Sequence, residues 1–166
     1  MTTEPTTTTD NLREVVAFLT QGSPPRYPFS NARLTKMVYL ADWKAALTYG
    51  RQITQIRWVF NHYGPWVPDV VDSIRHDPAF RIEKKRNGLG GPKEEIRQIR
   101  DVPITTLLQK QEIALTHVVD ETIGLDWTTF IRLVYSTFPV VNQPRFATLD
   151  LPMLASEYKR QTLETK

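Results

Sequence analysis

The three histidines, His62, His76 and His117, are the side chains best suited to move protons or hold a metal near neutral pH. They fall in three different expected elements, and no two stand four residues apart as a helical metal pair would. His62, between Asn61 and Tyr63 at a strand end, has the best address for an active site. No base or carboxylate partner can be identified for it, so a structural or interface histidine is the commoner reading. Two nucleophile and phosphate patterns are missing as well: the chain has no G-x-S-x-G and no G-x-x-x-x-G-K-[ST]. Gly88-Leu89-Gly90-Gly91 is glycine-rich, but it joins two expected strands and does not open a helix, where a phosphate would find its donors. A flexible hairpin tip is the simpler reading. The acidic pairs Glu94-Glu95 and Asp120-Glu121 are adjacent in sequence, so their carboxylates point apart. The chain contains no cysteine, which excludes disulfides, thiolate metal sites and a catalytic thiol. These residues point away from an enzyme and imply no cofactor.

Binding chemistry is better represented. The formal net charge of the whole chain is only +3. Yet Arg81, Lys84, Lys85, Arg86, Lys93, Arg97 and Arg100 face only Glu83, Glu94 and Glu95 within one stretch, so the positive charge is local. Helix, helix, strand, helix and basic hairpin is also the parts list of a winged-helix DNA binder, in which Arg81, Lys84, Lys85, Arg86 and Lys93 would meet phosphates. Against that, the helix expected from Val67 to Ile74 would be the recognition element. Asp69, Asp72 and the nearby Asp77 outweigh Arg75 there, and that charge repels DNA. A hairpin kept soluble by its charge and a surface for an acidic protein partner are the other readings. Trp58, Phe60, Tyr63 and Trp66 crowd nine residues, interleaved with Arg57, Asn61 and His62. Some of these aromatics belong to a core, but aromatic and Arg side chains together also favour the centres of protein interfaces.

The elements that must position these groups follow from spacing. Residues 1–9 read as a Thr-rich polar tail and 161–166 as a C-terminal tail, flanking one domain over 10–160. Asp10 or Asn11 caps a first helix carrying Leu12, Val15, Val16 and Leu19, and Gly22-Ser23-Pro24-Pro25 ends it. Ser30-Asn31 opens a second helix, with Leu34, Met37, Val38, Ala41 and Ala45 on one stripe and Gly50 at its end. Ile56, Trp58 and Phe60 alternate as a strand would. Strands are expected over 80–85 and 95–102, joined by the Asn87–Pro92 loop as a hairpin. Three helices follow. The first spans about 107–123 with Leu108, Leu115 and Val119 inward. The second carries Trp127, Phe130, Ile131, Val134 and Phe138 at helical spacing. The third starts at Asp150-Leu151-Pro152. The fold class is α+β: a mostly helical single domain with a small antiparallel sheet that includes the basic hairpin. No run of apolar residues is long enough to span a bilayer, and the N-terminus lacks the pattern of a secretory signal. Together with zero cysteine this fits a cytoplasmic protein.

Several short segments, in order, resemble the Panacea antitoxin domain of SocA-like and GepA-like proteins. Leu34 to Trp43 is similar to its "L-x-K-L-x-Y-x-A-D" helix, and Tyr49 to Thr54 to its "G-x-x-I-T" turn. Asn61 to Pro65 with Pro68 is similar to its "Y-G-P-x-x-P" element, and Tyr135 to Pro139 to its "Y-S-T-x-P" helix end. The resemblance implies a small bacterial or phage-defence antitoxin that neutralises a neighbouring toxin by direct contact. Alarmone-synthetase-like enzymes are among the toxins found with such domains. It implies no membrane partner. Some relatives act as adaptors that deliver the toxin to a protease, and a nucleic-acid-binding regulator is a further alternative. Among the motif residues, Asp42, Trp43, Gly50, Trp58, Tyr63, Gly64 and Pro65 are expected to build scaffold. Contact with a partner is expected at Arg57, His62, Trp66, Arg81, Lys84, Lys85 and Arg86.

Overall fold

The computed structural model describes residues 8–22 and 28–164. Among them the chain forms α1 (Thr8–Gln21), β1 (Phe29–Ser30), α2 (Asn31–Tyr49), β2 (Trp58–Asn61), β3 (Gly64–Pro65), α3 (Asp69–Asp72), β4 (Phe80–Arg86) and β5 (Pro92–Gln98). It continues through α4 (Gln109–Thr122), α5 (Trp127–Tyr135), α6 (Phe138–Asn142), β6 (Thr148–Leu149) and α7 (Leu151–Glu164). This is the α+β, mostly helical single domain that the sequence predicts.

Helix α2 is the axis of the domain. Its start is fixed by the Ser30 side chain, which accepts a hydrogen bond from the Arg33 amide at 3.1 Å. Its end is fixed by Gly50 at φ 80°, whose N–H closes on Ala46 O at 3.0 Å. Every residue from Leu34 to Trp43 is buried, so the helix is covered on all sides and not along one stripe. The covers are α1, α3, α4 and α7 together with the sheet edge. One antiparallel sheet has the order β1-β5-β4, in which β4 and β5 form the basic hairpin. A second small sheet has the order β3-β2-β6.

Several boundaries differ from expectation, each for a local reason. The strand expected from Ile56 begins at Trp58, because the preceding residues are held in a turn by a buried carboxylate on α2. The second hairpin strand starts at Pro92 and stops at Gln98, after which the Ile99 amide turns to Ala79 O. The helix over 67–74 shrinks to one turn, Asp69–Asp72. Leu108 points outward, 55% exposed, because it is the extended residue before α4, and its amide is satisfied by the Gln111 side chain at 2.8 Å. Ala114, Leu115, Val118 and Val119 carry the inward face instead. The helix from Trp127 ends at Tyr135, and Phe138 belongs to α6, with a proline in its first turn. Thr8 and Thr9 are already helical in α1, and α7 runs through residues 161–164. The expected polar tail over 1–7 and the Ser23–Pro25 loop lie outside the described residues.

Candidate partner-binding cleft

The scaffold motifs meet at Asp42, which is fully buried on α2. Its carboxylate accepts from the Ile53 and Thr54 amides at 2.9 Å each, from Thr54 Oγ1 at 2.5 Å and from Trp58 Nε1 at 2.8 Å. Burial pushes the carboxyl up to about 6, while these hydrogen bonds pull the other way. One acidic side chain thus ties α2 to the glycine turn after it and to the tryptophan opening β2. Trp58 packs edge-on against Tyr39, ring centroids 5.6 Å apart, and the Tyr39 hydroxyl hydrogen-bonds Thr137 at 2.8 Å. That bond joins the α2 motif to the residues ahead of Pro139. Trp43 stacks on Phe138. These are packing roles.

Lys36, on the same helix, has no such partner. It is 2% exposed and makes no hydrogen bond or ion pair with any described residue. Burial lowers its ammonium to about 8. Its Cε lies 3.5 Å from where a side chain on Gly64 would begin, and the Tyr135 ring lies 3.2 Å from that same point. Gly64 adopts φ 100°, so the turn between β2 and β3 needs a residue without Cβ for both space and backbone.

Beside this scaffold opens a cleft of about 1020 Å³. Its lining includes Ser30, Asn31 and Ala32 at the start of α2, Trp66 after β3, Trp127 at the start of α5, and the hairpin residues from Lys84 to Gly88 and Pro92 to Glu94. Trp127 is 47% exposed, although helical spacing aligns it with the core residues Phe130 and Val134. The signal for its outward position is Asp126, whose side chain caps α5 by accepting from the Thr129 amide at 2.8 Å. Trp127 is therefore the first residue of the helix and lies beyond the edge of the core. The hairpin wall is anchored by Glu94, which pairs with Arg75 at 2.8 Å and accepts from Asn31 at 3.2 Å. The Arg75 guanidinium holds this carboxyl below its ordinary value. On the other face of the hairpin, Lys85 and Lys93 both reach Glu95, at 3.2 and 3.4 Å.

Of the residues expected to touch a partner, Trp66, Lys84, Lys85 and Arg86 come together in this cleft. Arg57, His62 and Arg81 are not among its lining residues. Arg57 reaches Thr148 at 3.4 Å. Arg81 pairs across the hairpin with Arg97. The His62 ring stands edge-on to Phe146, 4.9 Å away, with Tyr63 6.4 Å off. Tyr63, expected to build scaffold, is 81% exposed and turns its ring to solvent. Phe146, which nothing in the sequence singles out, holds φ 74°, and its amide reaches Phe60 O at 2.5 Å. A bulky residue in that region is strained. Among the described residues no group of three His, Asp or Glu is placed to hold a metal, and no helix is long and apolar enough to cross a membrane.

A family model for the SocA-like antitoxin, Panacea domain, matches residues 34–138. The chain belongs to this family. Curated proteins and solved structures yield no match. Family membership supports an antitoxin role with a toxin as partner, and suggests a regulator that is not an enzyme. The match begins inside α2 and ends at the first residue of α6, so α1 and α7 of the antitoxin flank the matched segment.

Proposed function

We propose that this antitoxin silences its toxin by direct contact, and that the contact surface is the cleft between the β4–β5 hairpin and the Trp66–Trp127 side. The observation that carries the reading is the meeting, in one concavity, of two tryptophans from distant parts of the chain with the locally basic hairpin. Trp127 leaves nearly half its surface in water on a helix whose Phe130 and Val134 are buried. Large aromatics and Arg around a depression are the groups that dominate protein interfaces once water is excluded. The α3 helix is a single turn with Val70 and Val71 buried, too short and too committed to the core to read a DNA groove.

The test is co-expression with the toxin encoded beside this gene. The intact chain should restore growth and co-purify with the toxin. Trp66→Ala and Trp127→Ala should each weaken the complex by about 30-fold, at the hot-spot level of 2 kcal/mol, and circular dichroism should stay native. A toxic neighbour that never associates with the chain would sink the reading. A toxin that instead vanishes from cells without forming a complex would mark delivery to a protease.

A further inference from the structure

We infer that the occupant of this cleft is an acidic protein segment: an apolar side chain seated between Trp66 and Trp127, flanked by carboxylates that meet Lys84 and Arg86. The inference rests on the direct-contact reading above and adds the chemistry of the contact.

Strand alternation provides the first argument. In β4, Phe80 and Ile82 face the core, and Ile82 pairs with the buried Ile96. Lys84 and Arg86 continue that same side of the strand past the end of the core, opposite Glu94 and Pro92. The hairpin therefore turns two cations toward the body of the domain, where Asn31, Ala32 and the tryptophans complete the cleft. Neither Lys84 nor Arg86 forms an ion pair within 4 Å of a described residue; Glu94, across the hairpin from Lys84, feels its charge but is engaged at shorter range by Arg75 and Asn31. Lys85 and Lys93, which also contribute to the cleft lining, alternate to the opposite side of the strands and are balanced by Glu83 and Glu95.

The second argument is desolvation. Any occupant that fills the cleft removes water from Lys84 and Arg86, which is unfavourable unless it supplies anionic acceptors in return. Carboxylates spaced along a peptide can do this while an apolar side chain covers the indoles. Nucleic acid would supply phosphates and stacking bases, but it brings continuous negative charge. Asp72 pairs with Arg75, which lines the cleft, and Asp126 caps the helix that the lining residue Trp127 opens, so carboxylates already stand near the body side of the cleft. Discrete partner carboxylates aimed at the hairpin avoid them, whereas a polyanion does not.

The experiment measures binding of the purified toxin to the full chain, to a Lys84→Glu/Arg86→Glu variant and to Arg81→Glu, at low and high salt. Arg81 sits on the same strand but outside the cleft, so it controls for the hairpin's general charge. The inference expects the double reversal to weaken binding by about 100-fold or more and to flatten its salt dependence. Arg81→Glu should bind within about twofold of the intact chain, and both variants should keep native circular dichroism. Equal binding by all three proteins would overturn the acidic occupant while leaving direct contact intact. Failure of the intact chain to bind would overturn both. A single-stranded RNA or duplex DNA oligonucleotide, run in parallel, must not bind in a way that the double reversal abolishes, since that would reassign the cleft to nucleic acid.

Discussion

At the scale of single residues, α2 holds two buried ionisable groups in opposite circumstances. Asp42 is surrounded by donors from the turn and from Trp58, so its charge is used as a structural hub. Lys36, a turn and a half earlier, is buried with no acceptor among the described residues. Its ammonium is lowered to about 8 by burial, from an ordinary 10.5. Because the folded value is depressed, folding carries no penalty from this lysine above pH 10.5. The penalty builds as pH falls toward 8 and is fully present at neutral pH. Lys36→Met keeps the shape and removes the charge. It should stabilise the fold by about 3 kcal/mol at pH 7, and the gain should fade as pH approaches 10.5. Urea unfolding of both proteins at pH 7 and pH 10 checks the sign and the trend. An equal gain at both pH values would show that packing, and not charge, is responsible. A residue held in place at a stability cost belongs to function more often than to structure, and the sequence motif contains Lys36 without revealing that it lacks a partner.

At the scale of elements, the glycine turns and the hairpin separate what local sequence can specify from what it cannot. Gly50 and Gly64 both hold positive φ, but a Cβ at Gly50 meets nothing within 4 Å whereas one at Gly64 meets the Tyr135 ring at 3.2 Å. Gly50→Ala should therefore cost only backbone strain, about 1 kcal/mol. Gly64→Ala adds a steric clash and should cost about 2–3 kcal/mol, measured by urea unfolding of the two variants side by side. Equal costs would mean that Tyr135 yields freely. Helix α2 is legible in sequence because cap, apolar spacing and terminal glycine all agree. The hairpin is legible from its glycine-rich tip between alternating strands. The two-residue strands β1 and β6 are not, because their pairing depends on chain brought from far along the sequence, as in Phe29 opposite Ile96 and Trp58 opposite Leu149. Periodicity also cannot say where a core stops, which is why Trp127 reads as an inward residue and stands in the cleft. Trp66 and the hairpin could be nominated from composition, but their meeting with Trp127 could not.

At the scale of the whole molecule, the family segment is not a self-sufficient unit. Helix α1, outside it, is fastened by Asn11 to Ile53 O, by Arg13 to Asp77 and by Glu14 to Thr105 and Thr106. It also buries Val15, Val16 and Leu19 completely. Helix α7 buries Leu151 and Leu154 and sets Tyr158 against Trp43 and Phe138. Each large apolar side chain contributes roughly 1.5–3 kcal/mol, so these five alone rival the 5–15 kcal/mol that holds a typical domain together. A chain trimmed to residues 34–138 should therefore lose its cooperative thermal transition and elute as aggregate in size-exclusion chromatography. A sharp transition from the trimmed chain would show that α1 and α7 are accessories. The hairpin is attached very differently. Among the described residues, strand β1 pairs with β5 at Ile96 and Glu95, and the tip is tied back through Glu94. Mechanically it is a cantilever clamped at its root and pinned once along its length. One jaw of the cleft is thus built on helices sunk in the core, while the other is held by far fewer ties. Loosening the Glu94 tie would leave that jaw with less to hold its spacing from the tryptophans.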